Sequence, residues 1–366
     1  MGRRERRDSD SWRTVRISWP VFSAPVKAIA KARPEPGVEI IDVPEPDVRP
    51  GCVKLRVEKG SVCGTDLHIY DWDAWSSGRI KPPRIIGHEF CGTVVELGEG
   101  VTTHKVGDFV SSESHIVDAD DPDYLRGDGH IAQSTRLLGV DVDGGFAPYA
   151  VIPAMNARHT PDLVPRSVAS MQDALGNAVH TVMDGPVEGQ KILITGMGPI
   201  GLFAVAICKC LGAEKVYATE VSPFRIELAK RLGADVVFNP AKEDVSCALQ
   251  KLEPKGIDGT LEMSGRASAL ALALDHTRPG GRVSLLGLYS DSEIGVDLNR
   301  LIFKGLRIQG IIGRKMWETW DQMTWLLAEK GLDVTPVVTH EMPFTDVNLA
   351  METLKKGEAG KIVLTF

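Results

Sequence analysis

The chain has 366 residues, 25% of them charged and 43% hydrophobic, with a formal net charge of −7 at pH 7. This is ordinary globular composition, with material for two domains of about 100–200 residues each. It argues against a nucleic-acid binder, which needs a basic face, and no run approaches the about 18 consecutive apolar residues of a membrane span.

Residues 1–25 are basic but lack the apolar core of a secretory signal, and they read as a flexible leader. From Val26 to Tyr149, the runs VKAIAKA, CVKLRVEKGSV and GTVVELG are rich in β-branched residues and bounded by Gly and Pro, the mark of short strands. The character changes at Gln190. KILITG reads as a buried parallel strand, LFAVAICKCLG as a helix ending at Gly212, KVYATE as a second strand and RIELAKRLGA as a second helix. ADVVFN, GTLEMSG and GRVSLLG continue as strands. Such alternation predicts a doubly wound parallel sheet with right-handed crossovers. WETWDQMTWLLAEKG and VNLAMETLKKG follow as helices and KIVLTF as a last strand. The expected architecture is α/β. A β-rich domain of residues 26–175, completed by 318–366, is interrupted by a Rossmann nucleotide-binding domain of residues 176–317.

Gly196, Gly198 and Gly201 form a G-x-G-x-x-G run, with Pro199 and Ile200 inside it. Alone that pattern is weak, but here it follows a strand, opens a helix and precedes an acid at the next strand end. Gly196 allows the tight turn, Gly198 the approach of a pyrophosphate, and Gly201 close helix–strand packing. The helix N-terminus then points free N–H groups at the phosphates. Glu220 lies about 20 residues further on, where a carboxylate reads the ribose hydroxyls and repels a 2′-phosphate. NAD is therefore expected over NADP, although Arg225 pulls the other way.

Two segments of the β-rich part carry metal-ligand chemistry. SVCGTDLHIYDWDAW supplies Cys63, Thr65, Asp66 and His68, and PPRIIGHEFCGTVVELGEGV supplies His88 and Glu89. Zinc takes thiolate, imidazole and carboxylate, and a catalytic site leaves one position open. Cys63, His88 and one or two carboxylates would make such a site. Spacing alone equally fits a core cysteine and a core histidine. The other cysteines (Cys52, Cys91, Cys208, Cys210 and Cys247) read as small hydrophobes, and six cysteines so scattered point to a reduced, cytoplasmic compartment.

The runs CGTDLHIYDWDAW, GHEFCGTVVELGEGV, LGVDVDGGFAPYAVIPAMNA, ALGNAVHTV, GMGPIGL and IIGRKMWETW resemble the zinc-dependent medium-chain alcohol dehydrogenase superfamily. Within it they are most similar to the threonine dehydrogenase branch, in register from about Val26 to Phe366. The resemblance implies a GroES-like catalytic domain beside the Rossmann domain. It implies a homo-oligomer, tetrameric or dimeric, that takes a small secondary alcohol, here L-threonine. It places the catalytic zinc on Cys63, His88 and Glu89, with Asp173 as a further acid by the metal. Thr65 and His68 fall on the proton-relay pair. Cofactor contacts fall at Ile200, at Leu286, Gly287 and Leu288, and at Ile311 and Ile312.

Two departures stand out. Asp173-Ala174-Leu175-Gly176 replaces the family's usual acid-Pro-Phe-Gly, which suggests a changed pocket wall. Relatives often hold a second, structural zinc on a C-x2-C-x2-C-x7-C lobe, and here those positions are Asp118, Asp121, Tyr124 and Ala132. Tyr and Ala cannot replace thiolates, so no structural zinc is expected. The lobe's aspartates leave open a hard cation, and a solvated acidic loop is the plainer reading. Two further readings of the whole chain stay open: a polyol or cyclitol dehydrogenase of the same superfamily, and a catalytically silent nucleotide-binding protein.

Overall fold

The computed structural model describes residues 24–291 and 293–366. Apart from Ala24 and Pro25, the expected leader lies outside the described residues. Six strands form one wholly parallel sheet in the order Val236–Phe238, Lys215–Thr219, Lys191–Thr195, Ile257–Glu262, Thr277–Leu285, Arg307–Gly310. The first of the six in chain order, Lys191–Thr195, therefore sits in the middle. The order reverses beside it, which opens a crevice at the carboxyl ends of Lys191–Thr195 and Ile257–Glu262. Ile192, Leu193 and Ile194 are fully buried, as expected of a parallel strand covered on both faces. Helix Pro199–Cys210 starts on a proline, at the one turn where a missing N–H costs nothing.

The β-rich domain is built on a seven-stranded sheet whose central strand is Cys52–Val62. The strand Lys361–Thr365 pairs antiparallel with it, and Ile362 faces Val62. The end of the chain thus returns to the strand that leads into Cys63, and Lys361 arrives next to the site.

The two domains share one core. A single apolar cluster runs from Phe109 and Met171 through Leu175 and Val179 to Leu202 and Phe203, and on to Trp320, Met323 and Leu326. The junction expected at 175–176 falls inside helix Gln172–Met183. That helix packs against both Pro199–Cys210 and Glu318–Ala328. No helix among the described residues is long and apolar enough to cross a membrane.

Phe203 is fully buried in this shared core. Truncation of a buried Phe costs about 3–5 kcal/mol. Phe203→Ala should therefore lower the thermal midpoint of both domains in a single transition, read by calorimetry; two separated transitions would show independent cores.

Candidate active site

Cys63 follows the strand Cys52–Val62 and caps the N-terminus of helix Gly64–Asp71. The cap is reciprocal: Cys63 N–H donates to Asp66 Oδ2 at 2.9 Å. This fixes the backbone that carries the sulfur. His88 and Glu89 follow Gly87, whose φ is +89°. A Cβ at Gly87 would lie 2.1 Å from the Phe146 ring. Only glycine lets the chain turn over that ring and drive His88 and Glu89 inward. The result is that one ligand atom from each of Cys63, His88 and Glu89 lies within 4.8 Å of the others. Tetrahedral zinc with sulfur, nitrogen and oxygen ligands has edges of about 3.3–3.8 Å. The cluster is close enough for side-chain rotation to close it.

The donor set fits a zinc ion on a further observation. Glu89 is 1% exposed. Its Oε2 is held by Ser61 Oγ and Lys361 Nζ, whereas its Oε1 has no partner. His88 Nε2 lies 3.9 Å from that free oxygen, and His88 Nδ1 lies 3.9 Å from the equally unpartnered Asp66 Oδ1. Buried polar atoms without partners are rare because each forfeits its hydration. A dication between Cys63, His88 and Glu89 would satisfy Glu89 Oε1. Asp66 would then orient the imidazole from behind, as carboxylates do for zinc-bound histidines.

The electrostatics agree. Burial alone would lower the His88 pKa, but the Cys63 thiolate, Asp66 and Glu89 outweigh it and push it up to about 10. Burial alone would likewise raise the Glu89 carboxyl, and Lys361 and His88 outweigh it and hold it below its usual range. Zinc bound by such groups displaces their protons.

Thr65 Oγ1 lies 3.9 Å from Cys63 Sγ. His68 is exposed, and its Nδ1–H donates to Asp73 Oδ2 at 2.6 Å. Asp73, which the sequence did not single out, also caps helix Ala74–Arg79 through Ser76 N–H at 2.9 Å. It leaves Nε2 of His68 facing outward.

At the dinucleotide loop, Gly196 has φ +86°, and a Cβ there would lie 2.9 Å from Ser264 Cα. A Cβ at Gly201 would lie 2.0 Å from Gly196 O, whereas one at Gly198 would meet nothing within 4 Å. The first and third glycines are thus demanded by packing, and the second faces open space where a pyrophosphate fits. Glu220 accepts from Met197 N at 2.9 Å and from Val221 N and Ser222 N at 2.7 and 2.9 Å. It braces the glycine loop as well as standing at the strand end. Arg225 is turned aside, with Nε donating to Ala359 O at 3.4 Å. Pro199 opens the helix and Ile200 is half-buried, Leu286 and Gly287 are half-buried, Leu288 and Ile312 are exposed, and Ile311 is buried.

Asp173 is not brought into the metal cluster, contrary to expectation. Its carboxylate pairs with Arg314 at 2.8 Å and accepts from Ser114 N at 3.2 Å. The reason is the burial of Arg314, which is 1% exposed and needs counter-charge. Glu113 supplies the rest: it accepts from Arg314 Nε at 2.7 Å and from Trp320 Nε1 at 2.7 Å. Ala174 and Leu175 are buried in the shared core, so the two altered residues pack in the core and the expected change of pocket wall is not found. One further residue was missed by local reading, and the role of a second, Arg314, was not legible in it. Lys361 sits almost 300 residues from Cys63 in the chain, and the Arg314 pairings span the two domains; no local spacing signals either.

The lobe is held without thiolates. Val117, Ala132 and Met316 pack with Tyr124 and Trp317, and Trp317 Nε1 donates to Tyr124 Oη at 3.0 Å. Asp121 caps the short helix Pro122–Leu125, and Arg136 pairs with Asp118 at 3.1 Å. Among the described residues, the lobe aspartates do not converge as metal ligands.

Two family models match the chain: the alcohol dehydrogenase GroES-like domain over residues 49–162, and zinc-binding dehydrogenase over residues 199–329. A protein of Pyrococcus abyssi named L-threonine 3-dehydrogenase is 46% identical, covering 93% of this chain and 99% of its own length. A Shewanella loihica protein of the same name is 40% identical, covering 93% and 100%. Among solved structures, a short chain alcohol dehydrogenase of Escherichia coli CFT073 complexed with NADH superposes with TM-score 0.86 at 27% identity, covering 94% and 100%. The 2R,3R-butanediol dehydrogenase of Bacillus subtilis does so with TM-score 0.83 at 26% identity, covering 93% and 99%.

Two outcomes follow for this site. Cys63→Ser should abolish bound zinc and turnover together, measured on one sample by elemental analysis and NADH formation. The second concerns acid stability. Burial alone would raise the Glu113 carboxyl, but Arg314 outweighs it and holds it well below the usual range. A depressed carboxyl stabilises the fold above its unfolded value of about 4.3 and loses that contribution as pH falls towards the folded value. The thermal midpoint should thus stay level, as far as this pair is concerned, from about pH 5 to 8 and drop below about pH 4. Glu113→Gln should lower it at pH 7 and blunt the acid-side drop.

Proposed function

Because the chain belongs to the zinc-binding alcohol dehydrogenase family, we propose that it oxidises the secondary hydroxyl of L-threonine with NAD, yielding 2-amino-3-oxobutanoate and NADH. The observation that carries this reading is the convergence of Cys63, His88 and Glu89 on one buried point with Glu89 Oε1 unsatisfied. The choice of substrate rests on relatives of that name at 40–46% identity from several organisms. The choice of NAD rests on Glu220 at the strand end, with Arg225 turned away.

Cys63, His88 and Glu89 would hold the zinc. When bound, the metal polarises a substrate hydroxyl as a Lewis acid, and the nicotinamide accepts hydride. The protein's own residues manage position and protons. Asp66 holds Cys63 and faces His88, while Lys361 and Ser61 hold Glu89 by one oxygen and leave the other for the metal. Thr65 Oγ1, beside the Cys63 sulfur, would take the hydroxyl proton at the inner end of the path while passing its own proton outward. His68, exposed and oriented by Asp73, releases it to water at the outer end. Asp173 serves as counter-charge to the buried Arg314 and stays outside the metal cluster.

Glu113 and Arg314 are spent on each other, so neither serves the substrate's ammonium or carboxylate. With Ala174 and Leu175 in the core, the polyol reading loses the altered pocket wall that suggested it.

We further propose one zinc per chain, with none on the lobe, because its four positions carry no thiolate. A homo-oligomer is supported by the sheet's edge strand Arg307–Gly310, exposed along its length, and by Leu298, Ile302 and Phe303 exposed beside it. Such an unpaired edge is a ready template for a second copy. The compartment we assign is the reducing cytoplasm, in keeping with six unpaired cysteines.

NADH formation across L-threonine, sorbitol, butanediol and cyclitols tests the substrate: L-threonine should give the highest kcat/KM, and a polyol in first place would overturn the assignment. His68→Asn should lower kcat at neutral pH by about 10²-fold, the low end of general acid–base effects, with zinc content unchanged.

A further inference from the structure

Glu262 ends the strand Ile257–Glu262 at the point where the strand order reverses, and it is fully buried. Among the described residues, every hydrogen-bond donor to its carboxylate is neutral. Its carboxylate is satisfied by five such donors. Oε1 accepts from Thr195 Oγ1 at 3.2 Å, Ser264 N at 2.8 Å, Gly265 N at 3.0 Å and the Ser264 hydroxyl. Oε2 accepts from Tyr289 Oη at 2.7 Å. Its backbone carbonyl takes Leu286 N and Gly287 N at 2.9 and 3.1 Å.

These donors belong to the segments that form the floor of the crevice. Ser264 is the residue that Gly196 of the dinucleotide loop packs against. Gly265, at φ +65°, crosses the 286–288 segment so closely that a Cβ on it would lie 2.1 Å from Leu288 O. A Cβ on Gly287 would in turn lie 2.2 Å from Gly265 N. One carboxylate therefore ties the glycine loop, the turn at 263–265 and the strand end at 286–289 into a single surface.

We propose that Glu262 is a positioning residue for the dinucleotide, setting the relative placement of the pyrophosphate loop and the segment under the nicotinamide. The proposal rests on the reading that the chain uses NAD. Glu262 makes no contact with substrate or metal in this scheme and acts through Ser264, Gly265 and Tyr289. An acceptor at Oε1 is the essential feature, because the N–H groups of Ser264 and Gly265 cannot turn to find another.

The experiment measures NADH binding by fluorescence on the full chain for wild type and four variants. Glu262→Met removes both side-chain acceptor oxygens and leaves the buried N–H groups of Ser264 and Gly265 unpaired, which should weaken NADH by about tenfold or more. Glu262→Gln keeps an oxygen for Ser264 and Gly265 and should recover most of that loss. Tyr289→Phe removes one bond and should weaken NADH by about threefold. KM for NAD should rise in the same order, while KM for L-threonine and kcat at saturating NAD stay within about twofold of wild type. Tyr217→Phe is the control. It deletes a buried bond to Glu253 at 2.6 Å elsewhere in the same sheet and should lower thermal stability without moving NADH affinity. Wild-type NADH affinity in Glu262→Met overturns the proposal, as does thermal destabilisation with affinity untouched. If Glu262→Met does not fold, wild-type affinity in both Glu262→Gln and Tyr289→Phe overturns it. A wild-type protein that binds no NADH overturns the cofactor reading itself.

Discussion

A buried carboxylate oxygen with no partner is the constraint on which the rest of this structure depends. Glu89 is sunk in the fold, one oxygen is tied to Ser61 and Lys361, and the other lies 3.9 Å from His88 Nε2 in the cluster with Cys63. Burying such an atom without a partner forfeits its hydration, which folded chains rarely do. A thiolate, an imidazole and a carboxylate around one point form a soft, negative pocket that suits zinc. The long-range features of the β-rich domain serve that arrangement. The turn at Gly87 aims two of the proposed ligands, the Cys63–Asp66 cap fixes the third, and the final strand delivers Lys361 to hold Glu89 by its far oxygen.

The second level is the joint between the domains. Arg314 is a fully buried cation whose counter-charges, Glu113 and Asp173, come from the catalytic side. Breaking such a pair strands a charge, so the pairing favours a single relative placement of the domains. Helix Gln172–Met183 and helix Glu318–Ala328 add a continuous apolar core across the same joint. The metal and the nucleotide crevice are thereby held in one frame, which a hydride transfer over a few ångströms requires.

Much of this was legible in the chain. The glycine loop, its strand and its helix stood in the right order, and the structure places Gly196 and Gly201 where only glycine fits. Cys63, His88 and Glu89 were readable through their family setting, though not through spacing alone. The role of Asp173 was not, because its environment is decided by Arg314, far away in the chain and itself without a local signature. The same holds for Lys361, Asp73 and Glu262. Each works through a partner that only the fold brings near. The lobe shows the converse: the loss of four ligand positions was plain in the sequence, while the replacement, a small core of Val117, Tyr124, Ala132, Met316 and Trp317, was not.

X-ray absorption at the zinc edge tests the central claim most directly. The account predicts one zinc with a single sulfur at about 2.3 Å and the remaining nitrogen and oxygen ligands at about 2.0–2.2 Å. A zinc shell without sulfur, or with several sulfurs, would place the metal elsewhere and contradict it.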